Sequence, residues 1–192
     1  MDELLNTTSN TPIINPDAVY LAITTKIDIS GIPFGTSVDS ITDGTLTVTF
    51  STPIEKRGPV PTGWGTWSSP PFSEDRRPDV LFAIDLTTLT MVLSRPVTTF
   101  GFELEPDPFG RVTFTADFYS GNTLVESISR LVDGDAGARL FARTGEPIDR
   151  VVINGPVDFA IAQVRYTVIP TEILVLLISL FLLLLLSVIL IG

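Results

Sequence analysis

The sequence contains no cysteine and no histidine. Without cysteine the chain can form neither disulfides nor thiolate metal sites, and without histidine it has no imidazole ligand or base. Catalysis of the Ser-His-Asp and Cys-His kinds is therefore excluded, and only carboxylates remain for acid–base work. We expect a protein that is not an enzyme.

Positive charge is also scarce, with 12 Lys and Arg residues against 22 Asp and Glu residues and a formal net charge of −10. An acidic domain repels phosphate backbones, and no basic stripe interrupts the pattern, so we expect no nucleic-acid partner. The first residues include Asp2 and Glu3 but no Lys, Arg or long apolar run. We therefore expect no secretory signal at the N-terminus.

The chain divides into three parts by composition. Residues 1–17 are polar, and we expect them to form a flexible N-terminal arm. Residues 18–168 form one domain with enough apolar side chains for a core. Residues 169–192 form an apolar end.

The domain has the period-two pattern of β-strands. Apolar and polar side chains alternate in "GTLTVTF" (44–50) and in "RVTFTADFY" (111–119). About nine such segments, separated by turn signals such as "EPDPFG" and "VDGDAG", predict an all-β fold. The expected architecture is an antiparallel β-sandwich.

The apolar end predicts a transmembrane helix. From 173 to 191 only Ser179 and Ser187 interrupt the apolar residues, and a helix of this length covers about 29 Å, close to a bilayer core. The alternative is a helix buried among like chains as the core of a homo-oligomer or filament. The expected anchor residues, which would contact membrane lipid or like chains, are Ile173, Leu176, Leu180, Leu184, Val188 and Ile191.

The second half of the chain resembles a known family. The stretches "TFGFELEP", "VTFTADFYSGNTLVES", "ARLFARTGEPIDRVVING" and "DFAIAQVRY", followed by an apolar helix, resemble bacterial PEP-CTERM surface proteins. The resemblance implies a jelly-roll-like sandwich on a bacterial surface. This chain has "IPTE" where the family has Pro-Glu-Pro, and it ends in "LIG" where the family has an arginine cluster.

One long loop interrupts the regular spacing of the predicted strands. Residues 53–78 are rich in Pro and Gly and include Trp64, Trp67 and Phe72. Aromatic side chains bring a large contact area at low entropic cost, so these three are candidate ligand-binding residues that could stack on sugar rings. The alternative is that they pack down and hold the loop against the sandwich.

Two pairs of carboxylates are further candidates. Asp133 and Asp135 in "DGDAG" could ligate Ca²⁺, although turn chemistry explains them equally well. Glu103 and Glu105 share one face of a strand, about 7 Å apart, a separation that glycosidases use. The plain interpretation of the second pair is an exposed polar face. No other cofactor is indicated.

The sequence therefore favours a non-enzymatic, membrane-anchored β-sandwich that serves as a structural or adhesive protein of a bacterial cell or spore envelope. The first alternative is a self-assembling subunit with the C-terminal helices as its core. The second is a carbohydrate-binding module that uses the aromatic loop.

Overall fold

The computed structural model describes residues 11–168. Its only helix in that range is short, and all its strand pairings are antiparallel, so the part of the chain that it describes is all-β, as predicted. The elements in chain order are β1 (Thr11–Ile13), α1 (Ala18–Ile23), β2 (Thr25–Lys26), β3 (Ser37–Thr42), β4 (Thr47–Arg57), β5 (Val80–Ala83), β6 (Thr88–Pro106), β7 (Arg111–Ser120), β8 (Thr123–Asp133), β9 (Arg139–Asn154) and β10 (Phe159–Val168).

Three long strands, β4, β6 and β9, connect the two layers of the sandwich. Residues 48–50 of β4 pair with the first part of β6, and residues 55–57 pair with β5. The first part of β6 (88–93) pairs with β4 and with the second part of β9, whereas its second part (97–106) pairs with β10 and with the first part of β9. The register shifts between Val92 and Val97, where the strand passes from one layer to the other. Layer 1 therefore contains β3, β7 and β8, and layer 2 contains β1, β2, β5 and β10.

The main core lies between the layers and is largely apolar, with the buried Arg143 of β9, paired to Glu126 of β8, as a charged member on the same side of the sheet. Phe114 of layer 1 meets Phe159 of layer 2 edge to face, with ring centroids 5.3 Å apart. Within layer 2, Phe102 and Phe141 stack at 5.8 Å. Period-two alternation directs these side chains inward, as the sequence predicts.

The N-terminal segment differs from the predicted flexible arm over residues 11–17. There β1 pairs with the first part of β9, and the Asp17 side chain accepts a hydrogen bond from Tyr20 N at 2.8 Å, which caps α1. The segment "AVYLAITTKIDI" (18–29), whose composition also predicts a strand, therefore begins as the helix α1. Residues 1–10 lie outside the described range, so the rest of the arm stays a prediction.

The helix α1 rests on the outer face of layer 2 at a glycine. A Cβ on Gly101 would lie 2.4 Å from Ala142 Cβ and 2.5 Å from the Tyr20 hydroxyl. Tyr20 and Leu140 form a small apolar cluster there with Ala142. Packing of this kind, which the local sequence does not reveal, selects the helix over the strand.

The described helix α1 is not long and apolar enough to cross a membrane. The run 173–191 and all six predicted anchor residues lie outside the described residues.

Candidate functional site

The loop between β4 and β5 (residues 58–79), called the Trp loop below, lies on the outer face of layer 2. Its ends are joined by an ion pair between Lys56 Nζ and Asp79 at 2.6 Å. Its apolar side chains form a second cluster with the sheet below, and several of the sheet residues are alanines that let the indoles approach closely. The cluster comprises Val60, Trp64, Trp67, Val80, Phe82, Ala138, Ala160 and Ala162.

The carboxylates Glu103 and Glu105 lie beneath this loop. Because Phe102 and Leu104 enter the main core, the two glutamates point to the opposite face of β6. The sequence suggests that this face is exposed, but both glutamates are 0% exposed. The plain interpretation of this pair is therefore wrong, because the Trp loop covers the strand.

Glu103 holds the middle of the Trp loop. Its Oε2 accepts hydrogen bonds from Trp67 Nε1 at 2.7 Å and from Ser73 Oγ at 2.6 Å, and its Oε1 accepts one from Glu74 N at 2.6 Å. Burial raises the pKa of Glu103 to about 7, although these three bonds act in the opposite direction.

The Ser73 hydroxyl can form a hydrogen bond with Glu103 whether the carboxyl is ionised or protonated. It lies 2.7 Å from the carbonyl oxygen of Asp75 as well as within reach of Glu103. When Glu103 is ionised, Ser73 donates to it. When Glu103 is protonated, the carboxyl donates to Ser73 Oγ, and Ser73 donates to the Asp75 carbonyl.

Glu105 holds the beginning of the loop in the same way. Its Oε2 accepts a hydrogen bond from Trp64 Nε1 at 2.7 Å, and its Oε1 accepts one from Gly137 N at 3.1 Å. Thr66 Oγ1 lies 3.4 Å from Oε1 and 3.4 Å from the Gly134 carbonyl oxygen, so it too has an alternative acceptor. Burial raises the pKa of Glu105 to about 7. The carboxyl joins the Trp loop to the turn before β9.

An ion pair forms the third attachment. Arg165 of β10 binds both oxygens of Glu74, with Nε at 2.7 Å and Nη2 at 3.0 Å, and Lys26 Nζ lies 3.0 Å from the same carboxylate. Burial favours a raised pKa for Glu74, but the bonds from Arg165 and Lys26 outweigh it and lower the pKa. Arg165 also donates to the carbonyl oxygen of Thr24, so one guanidinium links the loop to the end of α1.

These attachments decide between the two interpretations of the aromatic residues. Trp64 and Trp67 are 6% and 4% exposed, and their N–H groups are occupied by carboxylates. They pack down and hold the loop, and their faces are not available to a sugar ring. Phe72 differs, because it is 46% exposed.

Phe72 borders a groove between the Trp loop, β8 and the chain after β1, called the Phe72 groove below. Its cavity is about 260 Å³. The Arg139 guanidinium carbon lies 4.6 Å from the centre of the Phe72 ring. The lining combines an aromatic ring, aliphatic side chains, an amide, a hydroxyl and two guanidinium groups, from Ile14, Asn15, Phe72, Ser129, Arg130, Leu131 and Arg139.

The predicted calcium residues lie in an adjoining cavity of about 330 Å³, which shares Leu131 and Arg139 with the Phe72 groove. Asp133 Oδ2 lies 3.3 Å from Arg111 Nε, and its Oδ1 accepts a hydrogen bond from Asp135 N at 3.2 Å. Within residues 11–168 no group of three or more acidic side chains is arranged to hold a metal ion. The calcium site stays a prediction, and the two carboxylates flank the groove.

Sequence reasoning missed Arg130 and Arg139. Both are single arginines in strands, and nothing in "SISRLVD" or "GARLFA" separates them from exposed strand arginines. The bonds between indoles and carboxylates were equally hidden, since Trp64 and Glu105 are 41 positions apart.

No protein-family model matches the chain, and no curated protein matches it. Among solved structures, it is similar to the enzymatically active domain of bacteriophage CBA120 tailspike protein 4, with a TM-score of 0.30 and 15% identity over 65% of this chain. The chain spans only 18% of that tailspike chain.

The chain is also similar to the family 11 carbohydrate-binding module of a cellulosomal cellulase of Clostridium thermocellum. The TM-score is 0.30 and the identity 12%, over 76% of this chain and 95% of the module. A family 11 module from the same organism, in complex with a β-1,3-1,4-mixed-linked tetrasaccharide, gives a TM-score of 0.27 and 10% identity over the same shares. Likenesses at these TM-scores do not establish a shared function.

Proposed function

We propose that this protein is a non-enzymatic, surface-displayed β-sandwich of jelly-roll-like type that binds carbohydrate in the Phe72 groove. The observation that carries the proposal is a half-exposed Phe72 beside Asn15, Ser129 and the two arginines. A sugar ring has apolar faces and hydroxyl edges, so an aromatic ring beside a few polar groups matches its chemistry.

The Trp loop supports the site by fixing the position of Phe72. The backbone N–H of Phe72 donates to the Ser69 carbonyl at 3.0 Å, and the next residue, Ser73, is bonded to Glu103. A platform that is already in place loses little conformational entropy when a ligand binds. Glu103 and Glu105 therefore have a structural role: they hold the Trp loop, and the loop separates both carboxylates from a ligand.

A glycan array with the full-length chain in a nonionic detergent tests the binding. Phe72→Ala removes the aromatic platform, and Phe109→Ala is the matched control, because Phe109 is 78% exposed and lines a different cavity. We expect Phe72→Ala to weaken glycan binding by about tenfold or more, within the range for a central aromatic contact, and Phe109→Ala to leave it unchanged.

Two outcomes would overturn this proposal. If the unaltered chain binds no glycan, the function is wrong. If Phe109→Ala weakens binding and Phe72→Ala does not, the site is wrong.

The apolar run 173–191 supports display at a membrane. Flotation of the full-length chain with lipid vesicles tests this part of the proposal, and Leu180→Arg with Leu184→Arg is the comparison variant. Charged residues at the centre of a spanning helix oppose insertion by about 2.5–3.5 kcal/mol each, so we expect the unaltered chain to float and the variant not to. Helical assemblies in electron micrographs without vesicle binding would favour the homo-oligomer alternative.

A further inference from the structure

Two positive charges line the Phe72 groove without a negative partner. Neither Arg130 nor Arg139 forms an ion pair within the part of the chain that the structure describes. This is notable in a chain whose formal net charge is −10. Neighbouring guanidinium groups repel one another, and an anion between them would relieve the repulsion.

Arg130 uses only part of its hydrogen-bond donors within the described residues. Its Nη2 donates to the Ile13 carbonyl at 3.0 Å, but its buried Nε has no partner among residues 11–168. Burial lowers the pKa of Arg130, and the charge of Arg139 lowers it further. A half-buried guanidinium with a buried, unpaired Nε and a like charge beside it is an unfavourable arrangement that a bound anion would relieve.

Arg139 is fixed by hydrogen bonds from one of its three guanidinium nitrogens. Its Nη1 donates to Ser68 Oγ at 3.1 Å and to the carbonyl oxygens of Gly137 and Ala138 at 3.0 and 2.8 Å. Within the described residues its Nε and Nη2 make no hydrogen bond. The guanidinium is thus positioned against Phe72 with its second edge free, which suits bidentate binding of a carboxylate or sulfate.

We propose that the carbohydrate bound in the Phe72 groove is anionic, with a carboxylate or sulfate group between Arg130 and Arg139 and its ring against Phe72. This inference rests on the proposed function and names the class of its ligand. The adjoining cavity carries Asp133 and Asp135, which repel a second anion. The groove therefore fits an oligosaccharide in which an acidic sugar is flanked by neutral ones.

Calorimetric titration of the full-length chain in nonionic detergent tests this specificity. The probes are four oligosaccharides of equal length: one neutral, one with alternating neutral and uronic-acid units, one made only of uronic acids, and one with alternating sulfated units. We expect the alternating anionic probes to bind about tenfold more tightly than the neutral one, the effect of one charge-assisted hydrogen bond. Preference between the uronate and the sulfated probe distinguishes the two anions.

Arg130→Gln and Arg139→Gln should abolish the preference for anionic probes, and salt at about 0.5 M should weaken it. The matched control is Arg150→Gln, because Arg150 also lies over an aromatic ring, 4.1 Å from that of Tyr119, but on layer 1. Thermal melting checks that each variant folds. If Arg139→Gln does not fold, Arg130→Gln alone decides, since among the described residues the Arg130 side chain makes one hydrogen bond, to Ile13, and one ring contact, to Phe141.

The outcomes separate the inference from the proposed function. Equal affinity for neutral and anionic probes, or an unchanged preference in Arg130→Gln, overturns the inference and leaves carbohydrate binding intact. Tighter binding of an acidic peptide than of any anionic sugar overturns the ligand class. If no probe binds, the proposed function is wrong as well, because the unaltered chain then has no glycan affinity for Phe72→Ala to reduce.

Discussion

The two faces of layer 2 are both shielded from water, one by apolar packing and the other by hydrogen bonds to buried carboxyls. Phe102 and Glu103 are neighbours on β6, and each is 0% exposed. Phe102 stacks on Phe141 in an apolar core, whereas Glu103 is held by an indole, a hydroxyl and a backbone N–H. Burial alone therefore does not define a core, because the second face depends on hydrogen bonds and on protonation.

The difference has an energetic consequence. The inner face is stabilised by transfer of apolar area from water and by dispersion, neither of which responds to pH. The outer face contains two carboxyls whose pKa burial raises to about 7. Its contribution to the free energy of unfolding therefore depends on pH near neutrality, and the inner face provides the reference.

The largest expected effect is on the inner face. Phe102→Ala should lower the free energy of unfolding by about 3–5 kcal/mol, through lost transfer energy and a residual cavity. The loss should be equal at pH 5 and pH 8 in urea denaturation. Val92→Ala, at a side chain that is 48% exposed, is the control and should change little. A strong pH dependence of the Phe102→Ala effect would contradict the distinction between the faces.

The second prediction concerns the outer face and pH. Between the ordinary pKa of 4.5 and the folded value of about 7, the folded chain holds protons that the unfolded chain has released. The free energy of unfolding should therefore fall as pH rises through this window, by at most about 3 kcal/mol for each carboxyl. Denaturation midpoints measured from pH 5 to pH 8 report this slope.

The control for that slope is Glu103→Gln combined with Glu105→Gln. Glutamine keeps the shape and an acceptor oxygen but does not titrate, so the double variant should have a nearly flat profile over the same range. Asp28, Asp43 and Glu74 have lowered pKa values and act at more acidic pH. A stability of the unaltered chain that rises from pH 5 to pH 8 would disprove the assignment.

The smallest expected effect is that of a single donor. Trp67→Phe keeps an aromatic ring over the sheet but removes the bond to Glu103, which should lower the free energy of unfolding by about 1–2 kcal/mol. Loss of that donor raises the pKa of Glu103 further, so the effect should be larger at pH 8 than at pH 5. Tyr119→Phe on layer 1 is the control. An effect independent of pH would mean that ring packing, not the bond, holds the loop.

The strands were predictable wherever their two faces differ in polarity. The segment 111–119 has clear alternation and forms β7. The segments "TLTMVLS" and "VTTFGFELE" also form strands, but they are parts of the single strand β6. The sequence indicates two separate strands, whereas the chain continues from one to the other with a register shift between Val92 and Val97.

The candidate site was only partly predictable. The sequence singled out Trp64, Trp67 and Phe72 together, but it could not say that the first two are buried and the third is exposed. That outcome depends on Glu103 and Glu105, which are distant in sequence and look like surface residues of an amphipathic strand. Local patterns report the polarity of a side chain and not what folds over it.

The available chemistry and the class of fold follow from the composition of the chain and from its alternation of polar and apolar residues. Without cysteine and histidine, carboxyls and lysines are the side chains whose pKa burial moves toward neutrality, and period-two alternation required strands with at least one buried face. Burial of the polar face, and the meeting of Arg130 and Arg139 beside Phe72, are visible in the folded chain alone. The physical reason is that a carboxylate can be buried wherever donors from distant segments converge on it, and convergence is a property of the folded chain.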